Sequence, residues 1–203
     1  FALHDALSCQ LTEPILLIGL GGVGASLAEK AKKSLNSDCL MISHDQKDLT
    51  AENSIKISTK SVVNPSTHLI RGSTLETSDE IKKNIANYST VILISNLAGK
   101  AGAGIGPIVS RICKQEQKNL LSFAIMPFKF EKERIFQSGI ALKRIRQDSQ
   151  CTIVVDNDAL LDSNPDLTQK QCYDISNKAI ESMMHSLKSS EISEDTNILS
   201  TGK

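Results

Sequence analysis

Hydrophobic residues along this chain follow two periods. Continuous apolar runs at Ile15-Leu16-Leu17-Ile18, Leu40-Met41-Ile42, Val91-Ile92-Leu93-Ile94, residues 120–125 and residues 152–155 read as strands, the longer of them buried on both faces. Ile55-Lys56-Ile57 reads as a short edge strand, followed by a polar loop containing Asn64-Pro65. Between these runs apolar residues recur every three or four positions, the mark of amphipathic helices. Val23, Leu27, Ala28, Ala31 and Leu35 predict one helix, and Ile81 and Ile85 a second over 79–88 with Ser78 or Asp79 as N-cap. Ile105, Ile108, Val109 and Ile112 predict a third, and the basic segment 134–146 a fourth. Thr168 opens a long helix carrying Cys172, Ile175, Ala179, Met183 and Leu187. From Ser189 onward the chain is polar and aperiodic, and fraying is expected there. Strands alternating with helices predict an α/β fold with a doubly wound, mostly parallel sheet whose ligands gather at the carboxyl ends of the strands.

Length fits one such domain: 203 residues bury roughly 70% of their unfolded surface. With no repeat or linker, residues 1–188 are expected to form a single domain and 189–203 a flexible tail. Twenty-three basic residues balance 23 acidic ones, so no basic field points to nucleic acid or anionic lipid. No apolar run approaches the ~20 residues of a membrane span, so direct membrane insertion is not expected. The five cysteines are scattered without CxxC spacing, the usage of a reducing cytoplasm, and the dispersed histidines suggest no metal site.

Chemistry concentrates in two glycine-rich stretches. "GLGGVGA" follows the first apolar run, and Gly19, Gly21 and Gly24 fit GxGxxG, a loop that lets helix N–H groups face an anion. By itself this pattern suits dinucleotide dehydrogenases, adenylating enzymes, methyltransferases and nucleotide-polymerising GTPases alike. "NLAGKAGAGIGP" follows Val91-Ile92-Leu93-Ile94, and its Gly99, Gly102, Gly104 and Gly106 leave the backbone bare. Two such loops on one sheet edge could share a polyphosphate; the competing explanation is that the second only permits tight helix–sheet packing.

"GLGGVGA", "ISHDQKDL", "NLAGKAGAGIGP", "PFKFE" and "VVDNDALL" occur in the order and at roughly the distances of motifs in the FtsZ/tubulin superfamily of GTPases, over about residues 15–187. The chain resembles that family. The resemblance implies that Gly21, Gly22 and Gly24, with Val23 and Ala25 in the same turn, meet the α- and β-phosphates of GTP or GDP. It places Lys100, Ala101, Gly102 and Ala103, flanked by Gly99 and Gly104, in the signature phosphate loop, and Asp45 at the end of the second strand. Glu131 would accept from the ribose hydroxyls and Arg134 would flank the sugar or base. Asn157 and Asn177 would read the guanine edge while Tyr173 stacks on it; positions i and i+4 share a helix face, so Tyr173 and Asn177 can meet one base. The family implies self-assembly, or assembly with an FtsZ-like paralogue, into cytoplasmic filaments of cell division, and leaves room for Mg²⁺.

Several positions depart from the family. Its phosphate-loop threonines are Ala101 and Ala103 here, Lys100 replaces a glycine, and an asparagine after the first loop is Ala25. The γ-phosphate loop is read as "RGSTLETSD", with only Gly72, and Lys178 stands where an aspartate follows the helix asparagine. The family's catalytic acids lie beyond the long helix, where this chain has "SSEISEDTNILSTGK"; Glu191, Glu194 and Asp195 read as tail charges, no catalytic residue is assigned, and the activation domain is expected to be absent from this chain. A degenerate paralogue with weak or no hydrolysis fits these departures. The rival reading is a Rossmann dehydrogenase or adenylating enzyme, for which Asp45, about twenty residues beyond Gly24, would hold a ribose. It leaves "NLAGKAGAGIGP" and "PFKFE" unexplained.

Overall fold

Each apolar run becomes a strand of one sheet. In the computed structural model, which describes residues 11–189 and 199–200, the strands are β1 (Ile15–Leu20), β2 (Asp38–Ser43), β3 (Ser54–Lys56), β4 (Thr90–Asn96), β5 (Asn119–Ile125), β6 (Cys151–Val155) and β7 (Leu199–Ser200), in the order β3-β2-β1-β4-β5-β6-β7. All neighbours are parallel except β6 and β7. Glu191, Glu194 and Asp195, with most of the expected tail, lie outside the described residues.

All six residues of β1 are buried because the sheet is covered on both faces. Helices α1 (Gly21–Leu35) and α7 (Gln169–Ser189) lie on one face, where Leu27, Ala28, Ile180 and Met183 pack with Leu17, Ile92, Phe123 and Ile153. On the other face, α2 (Thr67–Glu76), α3 (Ser78–Ile85) and α4 (Lys100–Gln115) pack Ile70, Ile81, Ile105 and Val109 against Leu16, Ile18 and Leu93. Helix α5 (Lys132–Asp148) adds Ala141 and Ile145 beside Ala103 and Ala124. The order reverses between β1 and β4, so the turns that follow these two strands sit at the topological switch point, where doubly wound sheets bind ligands.

Two elements run against expectation. The segment "RGSTLETSD", expected as a loop, is the end of α2 and the start of α3, and Gly72 sits mid-helix. Helix α2 was hidden because polar residues, Thr67, Ser73 and Thr74, fill its inner face around Ile70. The N-cap of α3 is Thr77, not Ser78 or Asp79, because α2 and α3 share that junction residue. Helix α4 begins at Lys100, so Gly102, Gly104 and Gly106 are helical. Their bareness serves packing: a Cβ on Gly102 would lie 2.1 Å from the Asn96 carbonyl oxygen, and one on Gly104 2.9 Å from Ile70 of α2. A short helix α6 (Asn157–Ser163), capped by Asp156, follows β6, and a reciprocal Thr168–Gln171 capping box opens α7.

Candidate functional site

Gly21, with φ 68°, turns the chain from β1 into α1 in a single residue. Its missing side chain leaves room for α4, since a Cβ there would sit 3.0 Å from Ala101 Cβ. The first turns of α1 and α4 therefore abut across the switch point. Neither is capped by a side chain: Leu20 and Gly99 are the N-caps and make no such bond. Ser66 caps α2 and Asp156 caps α6, whereas α3 and α5 also start without a side-chain cap; what sets α1 and α4 apart is that their open starts adjoin. Two neighbouring helix starts with N–H groups left open form an electropositive cradle for an anion. Within it Gly22 is exposed and Val23 half-buried, whereas Gly24 and Ala25 are buried; a Cβ on Gly24 would lie 2.6 Å from the Ile94 carbonyl oxygen. Ala101, Gly102, Ala103 and Gly104 are likewise buried.

Asp45, at the end of β2, is exposed and accepts from the Lys47 N–H at 3.0 Å, capping a 3₁₀ turn. The neighbouring Asp48 approaches the cradle instead. It accepts from the Ser43 hydroxyl at 2.7 Å, and its Oδ1 would lie 2.9 Å from a Cβ on Gly22. Sequence reasoning passed over Asp48, although it lies in the "ISHDQKDL" segment. His44 beside it is held below its ordinary value of 6.5, chiefly by burial, against the pull of Asp45 and Asp48; Lys100 adds to the depression.

Beside the cradle is a cleft of about 410 Å³ bordered by Asn64, Thr67, Ala98, Gly99, Lys100 and Arg134. Lys100 does not point away from the loop ahead of α2: its ammonium donates to Asn64 Oδ1 at 2.5 Å and to the Pro65 carbonyl at 3.0 Å. Arg134 Nη1 donates to the Ala98 carbonyl at 2.5 Å, tying α5 to the turn before α4. Asn64 was legible in the sequence only as part of a polar loop, and its partnership with Lys100, 36 residues away, left no local signal.

The "PFKFE" segment is pinned twice. Glu131 accepts from the Phe128 N–H at 2.8 Å, and Asp158 of α6 accepts from the Lys129 N–H at 2.9 Å and 3.2 Å through its two oxygens. This fixes Phe128, fully buried, edge-on against Tyr173 of α7, with ring centroids 5.5 Å apart at 83°. Burial, then the Glu131 carboxylate, raise the Tyr173 phenol above its ordinary value, while Arg134 pulls the other way. Glu131 and Arg134 thus lie within electrostatic reach of the Tyr173 phenol.

A second pair of groups lies on α6 and α7. Asn157, 1% exposed, accepts from the Ser176 hydroxyl of α7, and its Nδ2 has no partner. One residue along α7, the Oδ1 of Asn177 is also buried without a partner. A buried donor and a buried acceptor left open on adjacent helices cost stability unless a ligand completes them, and a nucleobase edge offers what both need. The residues present therefore fit a nucleotide: open N–H groups for phosphates, and unspent amides for a base.

The profile of the Tubulin/FtsZ family, GTPase domain, matches residues 14–165. Cell division protein FtsZ 1 of Halobacterium salinarum is 27% identical over 199 residues, covering 92% of this chain and 48% of its own length. Among solved structures, an empty FtsZ dimer from M. jannaschii superposes with a TM-score of 0.78 at 23% identity, over 88% of this chain and 55% of that one. CetZ from Methanosaeta thermophila reaches 0.66 at 17% identity, over 83% of this chain and 51% of that one. The chain spans about half the length of the relatives it matches. With the doubly wound sheet and both glycine turns at its switch point, these matches displace the dehydrogenase and adenylating readings: the chain belongs to the tubulin/FtsZ family and carries its GTPase domain.

Proposed function

We propose that this chain binds GTP or GDP and works as the nucleotide-binding part, residues 1–188, of an FtsZ-like filament protein. What carries the reading is the pair of unspent buried amide atoms, Asn157 Nδ2 and Asn177 Oδ1, on the helices α6 and α7, together with the two uncapped helix N-termini at the switch point. Guanine presents a carbonyl to the first amide and two adjacent N–H donors to the second, whose oxygen has two lone pairs; adenine offers that oxygen a single amino group. On this reading Gly21, Gly22, Lys100 and Ala101 border the phosphates, and Glu131 and Arg134 the sugar. Mg²⁺ accompanying the nucleotide takes its ligands mainly from phosphate and water, because no group of three or more His, Cys, Asp or Glu side chains among the described residues is placed to hold a metal.

The relatives' names speak of cell division, and we extend that process to this chain, acting in the cytoplasm with copies of itself or with an FtsZ-like paralogue. No helix among the described residues is long and apolar enough to cross a membrane. Hydrolysis by these 203 residues is expected to be slow, well below the order of 1 s⁻¹ common for enzymes. The phosphate-loop positions that the family fills with threonines are Ala101 and Ala103 here, so that loop offers no side-chain hydroxyl to order a water. Denaturing the purified protein and identifying the released nucleotide by chromatography tests the proposal. Guanine nucleotide supports it; NAD or an adenine nucleotide contradicts it.

A further inference from the structure

A second cleft, of about 300 Å³, opens where the carboxyl ends of β5 and β6 meet α5. It shares no lining residue with the cleft beside the glycine turns. Its apolar wall is Met126, Pro127, Ile135, Leu142 and Val154, contributed by the turn after β5, by one side of α5 and by β6. The volume is at the low end of the range in which small molecules are held, roughly 300–1,000 Å³.

The polar side chains of this cleft are engaged, with one exception. The Ser138 hydroxyl donates to the Arg134 carbonyl at 2.7 Å. Asp156 Oδ1 accepts from the Asp158 N–H at 3.0 Å as the cap of α6, and Asp158 accepts from the Lys129 N–H at 2.9 Å. The Lys129 ammonium lies 3.8 Å from the Asp162 carboxylate. Arg146 is the exception: its Nε is buried without a partner, and no carboxylate among the described residues forms an ion pair with it. Burial lowers its guanidinium from the ordinary value. A cation in the last turn of α5 suits the helix dipole, but an exposed side chain would serve that equally well. The dipole does not account for a buried donor left open, which costs stability until an acceptor reaches it. A carboxylate is that acceptor, since it meets the guanidinium edge through two parallel hydrogen bonds. Asp156 and Asp158 line the same cleft, so each further negative charge on a ligand is repelled, and phosphates are disfavoured.

We propose that this cleft is a binding site for a small monocarboxylate with an apolar body, its carboxylate on Arg146 and its body against Met126, Ile135, Leu142 and Val154. The class follows from the wall: one open cation asks for one negative charge, and the remaining surface for hydrocarbon. The site is separate from the proposed nucleotide site and does not depend on it.

Methionine-methyl NMR of the whole chain tests this, with octanoate as the probe. The chain has four methionines, of which Met126 lines the cleft, whereas Met41, Met183 and Met184 are buried in the core elsewhere. Octanoate should shift the Met126 signal saturably, the signal being assigned by its loss in Met126→Leu, and leave the other three in place. Acetate lacks the body and 1-octanol lacks the charge, so each should need at least about tenfold more ligand for the same shift, as a lost charged hydrogen bond or a lost apolar contact implies. Inorganic phosphate should not shift Met126. Arg146→Met keeps an unbranched apolar side chain and loses every donor; it should weaken octanoate about tenfold and leave 1-octanol unchanged. No Met126 shift with octanoate, an equal response to 1-octanol or to phosphate, or a shift of all four methionines overturns the proposal. So does unchanged octanoate affinity in a folded Arg146→Met. Should that variant fail to fold, the comparison of octanoate with 1-octanol on the wild-type chain decides alone.

Discussion

Tyr173 makes an edge contact with Phe128 and is only half-buried, so part of its ring remains available to a ligand. If a base stacks there, Tyr173→Ala should weaken nucleotide binding by about 1–3 kcal/mol, the usual worth of an aromatic platform. Calorimetric titration of the folded variant reads this directly, and unchanged affinity would assign Tyr173 to packing alone. His44 makes a separate prediction. Burial holds its folded value below the ordinary 6.5, so as pH drops below about 6.5 the unfolded chain takes up a proton that the folded chain resists. Stability should therefore fall across that window and recover above it. Urea midpoints at about pH 7.5 and about pH 5.5 should differ less in His44→Gln than in wild type; equal differences would remove His44 from the acid response. Among single residues, the sequence made visible those whose chemistry is read from type and motif, such as Asn157, Glu131 and Tyr173. It could not reveal that Asp48 rather than Asp45 approaches Gly22, or that Lys100 turns to Asn64, because both depend on side-chain direction across distant segments.

The five main strands were legible because a strand covered on both faces is an unbroken apolar run, and α1 and α7 because one greasy stripe meets the sheet. Helix α2 was not, since its inner face is largely hydroxyl. The start of α4 was mistaken for loop because glycine reads as a breaker, whereas here it brings helix and sheet together. The two kinds of glycine can be told apart by substitution. Gly72 lies inside α2, where an added Cβ would meet nothing within 4 Å, so Gly72→Ala should stabilise the fold by about 0.5–1 kcal/mol. Gly102→Ala would drive a methyl group to 2.1 Å from the Asn96 carbonyl and should cost about 1–3 kcal/mol or more. Urea denaturation of both variants measures the contrast; a neutral Gly102→Ala would mean that α4 can move off β4 at little cost.

Across the whole molecule, the α/β class, the doubly wound sheet and the family were all readable from motif order, since a switch point needs only two strand–glycine–helix units in the right sequence. The family motifs also pointed to Asn157 and Asn177 as the base readers of the proposed site, but that each buries an unpartnered amide atom, one on α6 and one on α7, depends on packing that the sequence does not show. Those two unpartnered amides are what the proposed function stands on. Titration calorimetry of GDP against ADP, on the wild-type chain and on Asn177→Ala, tests it. We expect GDP to bind at least about tenfold more tightly than ADP, and Asn177→Ala to erase most of that preference while the fold is kept, as happens when a site built on hydrogen bonds loses one partner. Equal binding of the two nucleotides by the wild-type chain, or a preference for ADP, would contradict the account.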